Sequence, residues 1–357
     1  MSRRPGMARG TGRMKAVPPW ARQRRRLVGA GAATLIAGAS AARTAVAAAA
    51  AEPAPIAPWP QKPVRVVVPR AAAGTADVLA RAVCEHLGRE HGQRFVVDNQ
   101  PEGAGVQALR RVVGAPADGH VLLASDAAVT LAAPLLQPGL AVDPVNELAH
   151  VVLMADAPLV LVAHPHGEVT TLRGLIDAGR PARTDLFCAV AGVGSHGHLV
   201  CEQLRSSAVA DLTAVPYRGG AAALAAVLAR EVPLAVAVLG SASALIAEGR
   251  LVALAVSSPR RVDVCPDVPT FAERGLAHLT IANWYGLSAP RGLAAPVAHA
   301  LQAGVQRWLR SDAARALFSA RAYQTMPLAG DAFAAFIDAE RRRWTPVLRA
   351  VLQGTPK

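Results

Sequence analysis

The sequence predicts an α/β protein of two lobes, each a parallel sheet covered by helices, and three observations predict it. Strand-like apolar runs alternate with helix-like runs from residue 64 onward, the pattern of sheets with helices on both faces. Three glycine-bearing loops, at 69–77, 192–198 and 215–220, each lie between an apolar run and a helix-like run. Hydrophobic residues make up 52% of the chain but aromatics only 4%, so the core is built from Ala, Val and Leu. That composition suits helix-on-sheet packing better than an aromatic-rich β-sandwich.

The first fifty or so residues read as an address and not as part of this fold. Residues 1–51 hold ten Lys or Arg and no Asp or Glu. Arg24-Arg25-Arg26 precedes an apolar stretch of small residues at 28–42 and an alanine-rich stretch at 45–51. A basic start, a short apolar region and A-x-A cleavage options near 47–51 make an export signal, which implies a periplasmic protein. The adjacent arginines lean toward twin-arginine export, although Leu27 stands where that pattern prefers Phe. The apolar stretch falls short of the ~18–20 residues of a spanning helix, and Arg43 interrupts it. Removing these ten positive charges takes the formal net charge from +13 to +3, so the overall basicity is no argument for nucleic acid. Arg341-Arg342-Arg343 falls on a predicted helix as a solvated face.

Residues 52–63, rich in Pro and Ala, form a linker. The run at 64–68 reads as a strand covered on both faces. Leu79, Val83 and Leu87 stand at i, i+4 and i+8 and predict a helix over 77–89. A short strand at 95–97, a helix at 104–113 and a strand at 121–125 follow. The apolar stretch 151–163 is too long for one short strand and is broken by Asp156 and Pro158, so the chain crosses there to a second lobe. Helices at 172–177, 199–205, 221–228 and 245–248 alternate with strands at 186–191, 234–238 and 252–256. The return crossing falls at 284–290. From Ala295 onward the chain reads helical, and Phe333, Phe336, Ile337 and Trp344 give the last helix its apolar stripe. Lobe 1 is thus 64–158 plus 285–357, and lobe 2 is 159–284. No repeat of 20–50 residues appears.

A loop between a strand and a helix turns free backbone N–H groups and a helix N-terminus toward one point, a ready site for a carboxylate or other anion. In open α/β sheets, ligands bind beyond the carboxyl ends of the strands. All three loops follow strands, so all three can face one cleft, and the chain reads as a binder of small anions.

Competing chemistries fit less well. Ser195 and His198 share a loop, but residues three apart at a helix start rarely place a base against a nucleophile, and no Gly-x-Ser-x-Gly elbow is present. His198 supports its loop by bonding backbone. His164, His166, His196 and His198 lack the i, i+4 spacing of a helical zinc site, so no metal is expected. Cys84, Cys188, Cys201 and Cys265 match no zinc pattern; Cys188 and Cys201 flank the second loop and either pair across it or remain buried thiols. Tyr217 is the best ligand-facing aromatic, with packing as its alternative. Arg218 either pins its loop or touches ligand.

The order of these segments resembles the periplasmic solute receptors of the tripartite tricarboxylate transporter family, also called Bug-type receptors. The resemblance rests on Pro60-Gln61-Lys62-Pro63-Val64, then Pro69, Gly74 and Asp77, then Asp98-Asn99-Gln100-Pro101-Glu102. It continues through Asp118-Gly119, Asp143-Pro144, His164-Pro165, Gly192-x-Gly194-Ser195-x-x-His198 and Val215-Pro216-Tyr217-Arg218-Gly219. Pro266-Asp267-Val268-Pro269-Thr270 and Trp284-Tyr285-Gly286-Leu287 complete it, covering essentially all of 60–350.

That resemblance implies a type II periplasmic-binding-protein fold, two Rossmann-like lobes joined by a hinge and closing like a flytrap over a small carboxylate. It implies no catalysis and no cofactor, an inner-membrane permease as partner, and a monomer. A binder that hands ligand occupancy to a sensor protein and an enzyme of the same fold are the alternatives. Carried onto this sequence, the candidate ligand contacts are Arg70, Gly74, Thr75, Asp77, Ser125, Gly194, Ser195, His198, Tyr217 and Arg218. Gly194 and Ser195 would donate to the carboxylate, Gly74 would be a point of close approach, and Asp77 would cap the following helix and orient its loop. Arg70 and Ala73 depart from the family pattern, standing where an aromatic ring and a glycine are usual. Arg70 would either contact a second carboxylate or point to solvent. Ala229-Arg230-Glu231-Val232-Pro233 departs again near the hinge side.

Overall fold

A computed structural model describes residues 59–137, 139–178, 186–207 and 212–354. The export signal, its cleavage site and most of the linker lie outside the described residues. In chain order the first elements are β1 (Val64–Val68), α1 (Thr75–His91), β2 (Phe95–Asn99), α2 (Val106–Val113), β3 (Val121–Asp126), α3 (Ala133–Leu136), α4 (Pro144–Glu147) and β4 (Leu148–Asp156). Then come β5 (Leu159–Ala163), α5 (Leu172–Ala178), β6 (Leu186–Val190), α6 (His196–Ser206), β7 (Leu212–Pro216), α7 (Gly220–Leu228), β8 (Leu234–Val238), α8 (Leu239–Ala247) and β9 (Val252–Val256). The chain closes with β10 (Trp284–Pro290), α9 (Ala295–Leu309), α10 (Asp312–Arg321), β11 (Gln324–Thr325) and α11 (Asp331–Gly354).

The strands form two sheets, ordered β11-β4-β10-β3-β1-β2 and β7-β6-β8-β5-β9. Both are mixed, which corrects the expectation of purely parallel sheets. β1 runs parallel to β2 and β3, and β6 runs parallel to β7 and β8, but β10, β11 and β5 run antiparallel to their neighbours. The crossings explain the reversal. A strand entering from the other sheet starts at the edge where the parallel strands end: Tyr285 of β10 lies opposite Asp126, and Leu159 of β5 lies opposite Val238. The loops after β1, β3, β6 and β7 therefore gather at the edges where the chain passes between sheets.

The two crossings are tied to each other. Ala157 N–H donates to Asn283 O at 3.0 Å, Asn283 N–H to Asp156 Oδ1 at 2.8 Å, and Asn283 Nδ2 to Ala157 O at 3.2 Å. Ser257 Oγ bridges them, accepting from Leu159 N–H and donating to Ile281 O. Asp156 is buried here, and burial pushes its pKa up to about 7; the Asn283 N–H pulls it down and Glu340 pushes it further up.

Apolar burial follows the periodicity read from the sequence. Leu79, Val83 and Leu87 of α1 are fully buried against Val64, Val66 and Val68 of β1. Trp284, Phe333, Ile337 and Trp344 share a core with Leu186, Leu199 and Leu204 of the second sheet's layer. Three details differ. Arg65, within β1, is exposed and pairs with Asp98, so that strand is not covered along its whole length. The helix expected from residue 104 starts at Val106, because Gly103, Ala104 and Gly105 all adopt positive φ. At Gly105 a Cβ would lie 2.7 Å from Pro69 Cβ, so the missing side chain lets this turn press on the first loop. The helical C-terminal stretch is interrupted by β11, whose two residues pair with β4; so short a segment carries no periodicity.

Candidate functional site

The first loop follows β1 and is held by charge. Asp77 is buried in the first turn of α1, where its carboxylate accepts from Ala73 N–H (2.9 Å), Arg81 Nε (3.0 Å) and Asn99 Nδ2 (2.9 Å). Burial alone would raise its pKa, but these hydrogen bonds outweigh it and hold the group below the ordinary carboxylate value. Asp77 does not occupy the N-cap; Gly74 does, and Asp77 reaches back from the third helical position to the turn. Ala73 is held at φ +66°, a conformation that favours glycine. Gly74 is exposed, and Thr75 is half-buried near Tyr323.

Arg70 neither points to solvent nor stands free. Its Nε and Nη2 donate to Asp126 Oδ2 and Oδ1, both at 2.9 Å, in a bidentate pair between the ends of β1 and β3. Asp126 Oδ1 also accepts from Val129 N–H at 2.8 Å. The Asp126 side chain is only 7% exposed, the Arg70 side chain 31%.

The second loop follows β6 and is held by neutral groups. Gly194 is buried at φ +73°, and its N–H donates to His198 Nδ1 at 3.2 Å. Ser195 is the N-cap of α6, its Oγ accepting from His198 N–H at 3.2 Å. Burial lowers the His198 pKa, with Glu202 opposing, so the ring is neutral and its Nδ1 accepts. The Gly194 donor is thereby engaged within the loop. The first-turn N–H groups of His196 and Gly197 have no intrahelical acceptor and carry the positive end of the helix dipole.

Tyr217 is half-buried against the apolar side of α7 and β8, with its N–H donating to Val190 O; Arg218 is exposed. Ser125 sits differently from the other candidates. It is 1% exposed, and its hydroxyl accepts from Ser288, which contacts His150 in a polar seam between strands of the first sheet. Side chains alternate across a strand, so Asp126 and not Ser125 faces the first loop. Cys188 and Cys201 are free buried thiols in contact with each other, not a disulfide.

His196, Asn283 and Tyr285 complete the site, and sequence reasoning did not nominate them. His196, on α6, is 5% exposed and its Nε2 has no hydrogen-bond partner among the described residues. Burial drives its pKa down to about 4, with Asp126 and Asn283 raising it and Arg70 lowering it. The second loop's helix thus lies within electrostatic reach of the first loop's ion pair. Asn283 Nδ2 also donates to Tyr285 Oη at 3.2 Å, and burial raises the Tyr285 pKa. A signal for Asn283 and Tyr285 was present in the motif around Trp284-Tyr285 and for His196 in the loop at 192–198, while the polar Ser125-Asp126 ending of an apolar strand marked Asp126. A separate depression of about 630 Å³ runs along α1 and β2, lined by Arg81, Cys84 and Phe95 among others, and includes neither loop.

Among the described residues, no group of three or more His, Cys, Asp or Glu is placed to hold a metal ion, and no helix is long and apolar enough to cross a membrane. What the arrangement offers is a helix N-terminus with a serine cap, facing a neutralised charge pair across the crossing strands.

Comparison with known proteins agrees with this architecture. The family model described as the tripartite tricarboxylate transporter family receptor matches residues 79–352. Protein BugT of Bordetella pertussis is 30% identical over 294 residues, covering 82% of this chain and 90% of its own length. A Rhodopseudomonas palustris protein solved with adipate superposes with a TM-score of 0.76 at 29% identity, over 82% of this chain and 98% of its own. MatC of Rhodopseudomonas palustris, solved with malate, gives 0.71 at 31% identity, over 81% and 100%. The fold is the two-lobed α/β fold of periplasmic binding proteins. The chain belongs to the family of tripartite tricarboxylate transporter receptors.

Proposed function

We propose that this protein is a periplasmic receptor that captures a small carboxylate between its lobes and presents it to a tripartite tricarboxylate-type permease in the inner membrane. The observation that carries this reading is the loop at 192–198. Its serine cap and positive-φ glycine frame the N-terminus of an eleven-residue helix whose first residue, His196, lies within electrostatic reach of Asp126 and Arg70. Oriented N–H groups and a helix dipole receive a carboxylate without any chemistry being performed on it. Relatives of the same fold were solved with adipate and malate, both carboxylates. The basic leader fits export to the periplasm, and the family assignment supports the permease partner. Lobe 1 is taken as 64–158 plus 285–357 and lobe 2 as 159–284, closing about the ties between Asp156, Ala157 and Asn283.

A thermal-shift screen of the purified protein against small carboxylates and their neutral amides tests the reading. A ligand at 100 times its dissociation constant stabilises by about 2.7 kcal/mol. Selective stabilisation by carboxylates is expected; stabilisation only by neutral compounds would reject it.

A further inference from the structure

We propose that Arg70 is a second ligand anchor and sets the specificity of the cleft: one end of the ligand sits at the N-terminus of α6, and a second carboxylate rests on the Arg70 guanidinium. The proposal rests on the carboxylate-receptor reading and narrows its ligand class to dicarboxylates.

A guanidinium carries five N–H donors. Asp126 takes one from Nε and one from Nη2. The other three, two on Nη1 and one on Nη2, have no acceptor among the described residues. Nη1 is not one of the buried polar atoms without a partner, so its donors reach solvent. The ion pair is neutral as a whole but lopsided: the Asp126 side chain is 7% exposed and the Arg70 side chain 31%, which makes the cation the outer member. A carboxylate entering the cleft therefore meets the guanidinium first and stands further from Asp126. Coulomb energy falls with distance, so the nearer, charge-assisted contact wins.

Asp126 also fixes the anchor before the ligand arrives. Its carboxylate is held by Val129 N–H at 2.8 Å and grips Arg70 at two atoms, so the fork loses little side-chain freedom on binding. The two anchors border one space, because His196, the first residue of α6, lies within electrostatic reach of both Arg70 and Asp126. His196 is 5% exposed and its Nε2 has no partner among the described residues, a neutral polar atom left for the ligand. Arg70 stands where the family pattern has an aromatic ring, so this second anchor is a property of this chain's own first loop.

Isothermal titration at neutral pH with adipate, adipate monoamide and hexanoate, and with succinate, succinate monoamide and butanoate, tests this. For at least one chain length, wild type is expected to bind the dicarboxylate about ten-fold or more tighter than both its monoamide and its monocarboxylate. The double variant Arg70→Gln/Asp126→Asn removes the guanidinium without leaving a buried charge unpaired. It should reduce the ratio of dicarboxylate to monocarboxylate affinity about ten-fold or more. A loop that had only lost its shape would weaken both ligands together and leave that ratio where it was. Wild-type binding of the monoamide or the monocarboxylate as tightly as the dicarboxylate at both lengths would overturn the inference, and needs no variant to fold. A ratio unmoved in the double variant would overturn it too, and either result leaves the receptor reading standing. No binding of any carboxylate by the folded protein would overturn both.

Discussion

The loops at 69–77 and 192–198 occupy equivalent places, each joining a strand to a helix, yet they are held by opposite means. The first is fixed by ions: Arg70 on Asp126, and Asp77 on Arg81, Asn99 and the Ala73 N–H. The second is fixed by neutral groups: Ser195 Oγ, the His198 ring and a positive-φ glycine. A carboxylate already sits in the first turn of α1, so the dipole of that helix is occupied from within. The first turn of α6 contains no acidic side chain, so its dipole is open to a ligand. Equivalent topology thus leaves one helix N-terminus with its dipole satisfied from within and the other with no acidic side chain in its first turn.

The sharpest way to break this contrast is to remove the ion pair. Arg70→Met leaves Asp126 buried and unpaired, and should cost about 3–5 kcal/mol of stability, read from urea denaturation. Acid separates the loops next. The His196 pKa is lowered to about 4, so its neutral form contributes stability that is complete above about 6.5 and lost as pH falls toward 4, a loss of about 3 kcal/mol. Asp77, lowered instead, keeps its contribution until pH falls below the ordinary carboxylate value. The amide resonance of His196 should therefore shift as pH falls toward 4, while that of Ala73 stays put until pH drops below the ordinary carboxylate value. Asp156 opposes this in global stability, since a raised carboxylate pKa stabilises as pH falls from about 7. Asp156→Asn should accordingly steepen the loss of stability on acidification.

Smaller effects sharpen the same contrast. Gly194→Ala forces an L-residue into φ +73° and should cost about 1–2 kcal/mol, with weakened carboxylate binding in calorimetry. Ser195→Ala removes the cap of α6 for about 1 kcal/mol and should weaken binding in the same titration. Ala73→Gly should do the reverse in the first loop, relieving φ +66° and raising the thermal midpoint by the equivalent of under about 1 kcal/mol.

Much of the frame was legible in the chain. The Leu79, Val83 and Leu87 spacing marked α1, and the break at Asp156 and Pro158 marked the passage from β4 to β5, because burial acts on local periodicity. The loop at 192–198 was legible too, since a cap and a positive-φ glycine are local requirements. The strand directions were not: β10 and β5 run antiparallel because of where the chain re-enters each sheet, a property of the whole path. The partner of Arg70 was equally hidden, being 56 residues away on a strand two places along in the chain.

The sequence by itself determined the alternation of strands and helices, the placement of the glycine loops and the family, all of which follow from short-range pattern and residue order. Only the tertiary structure decided which charges meet. It set Asp126 against Arg70, brought His196 within reach of both and turned Ser125 inward, because pairing of buried groups depends on sheet order and not on distance along the chain.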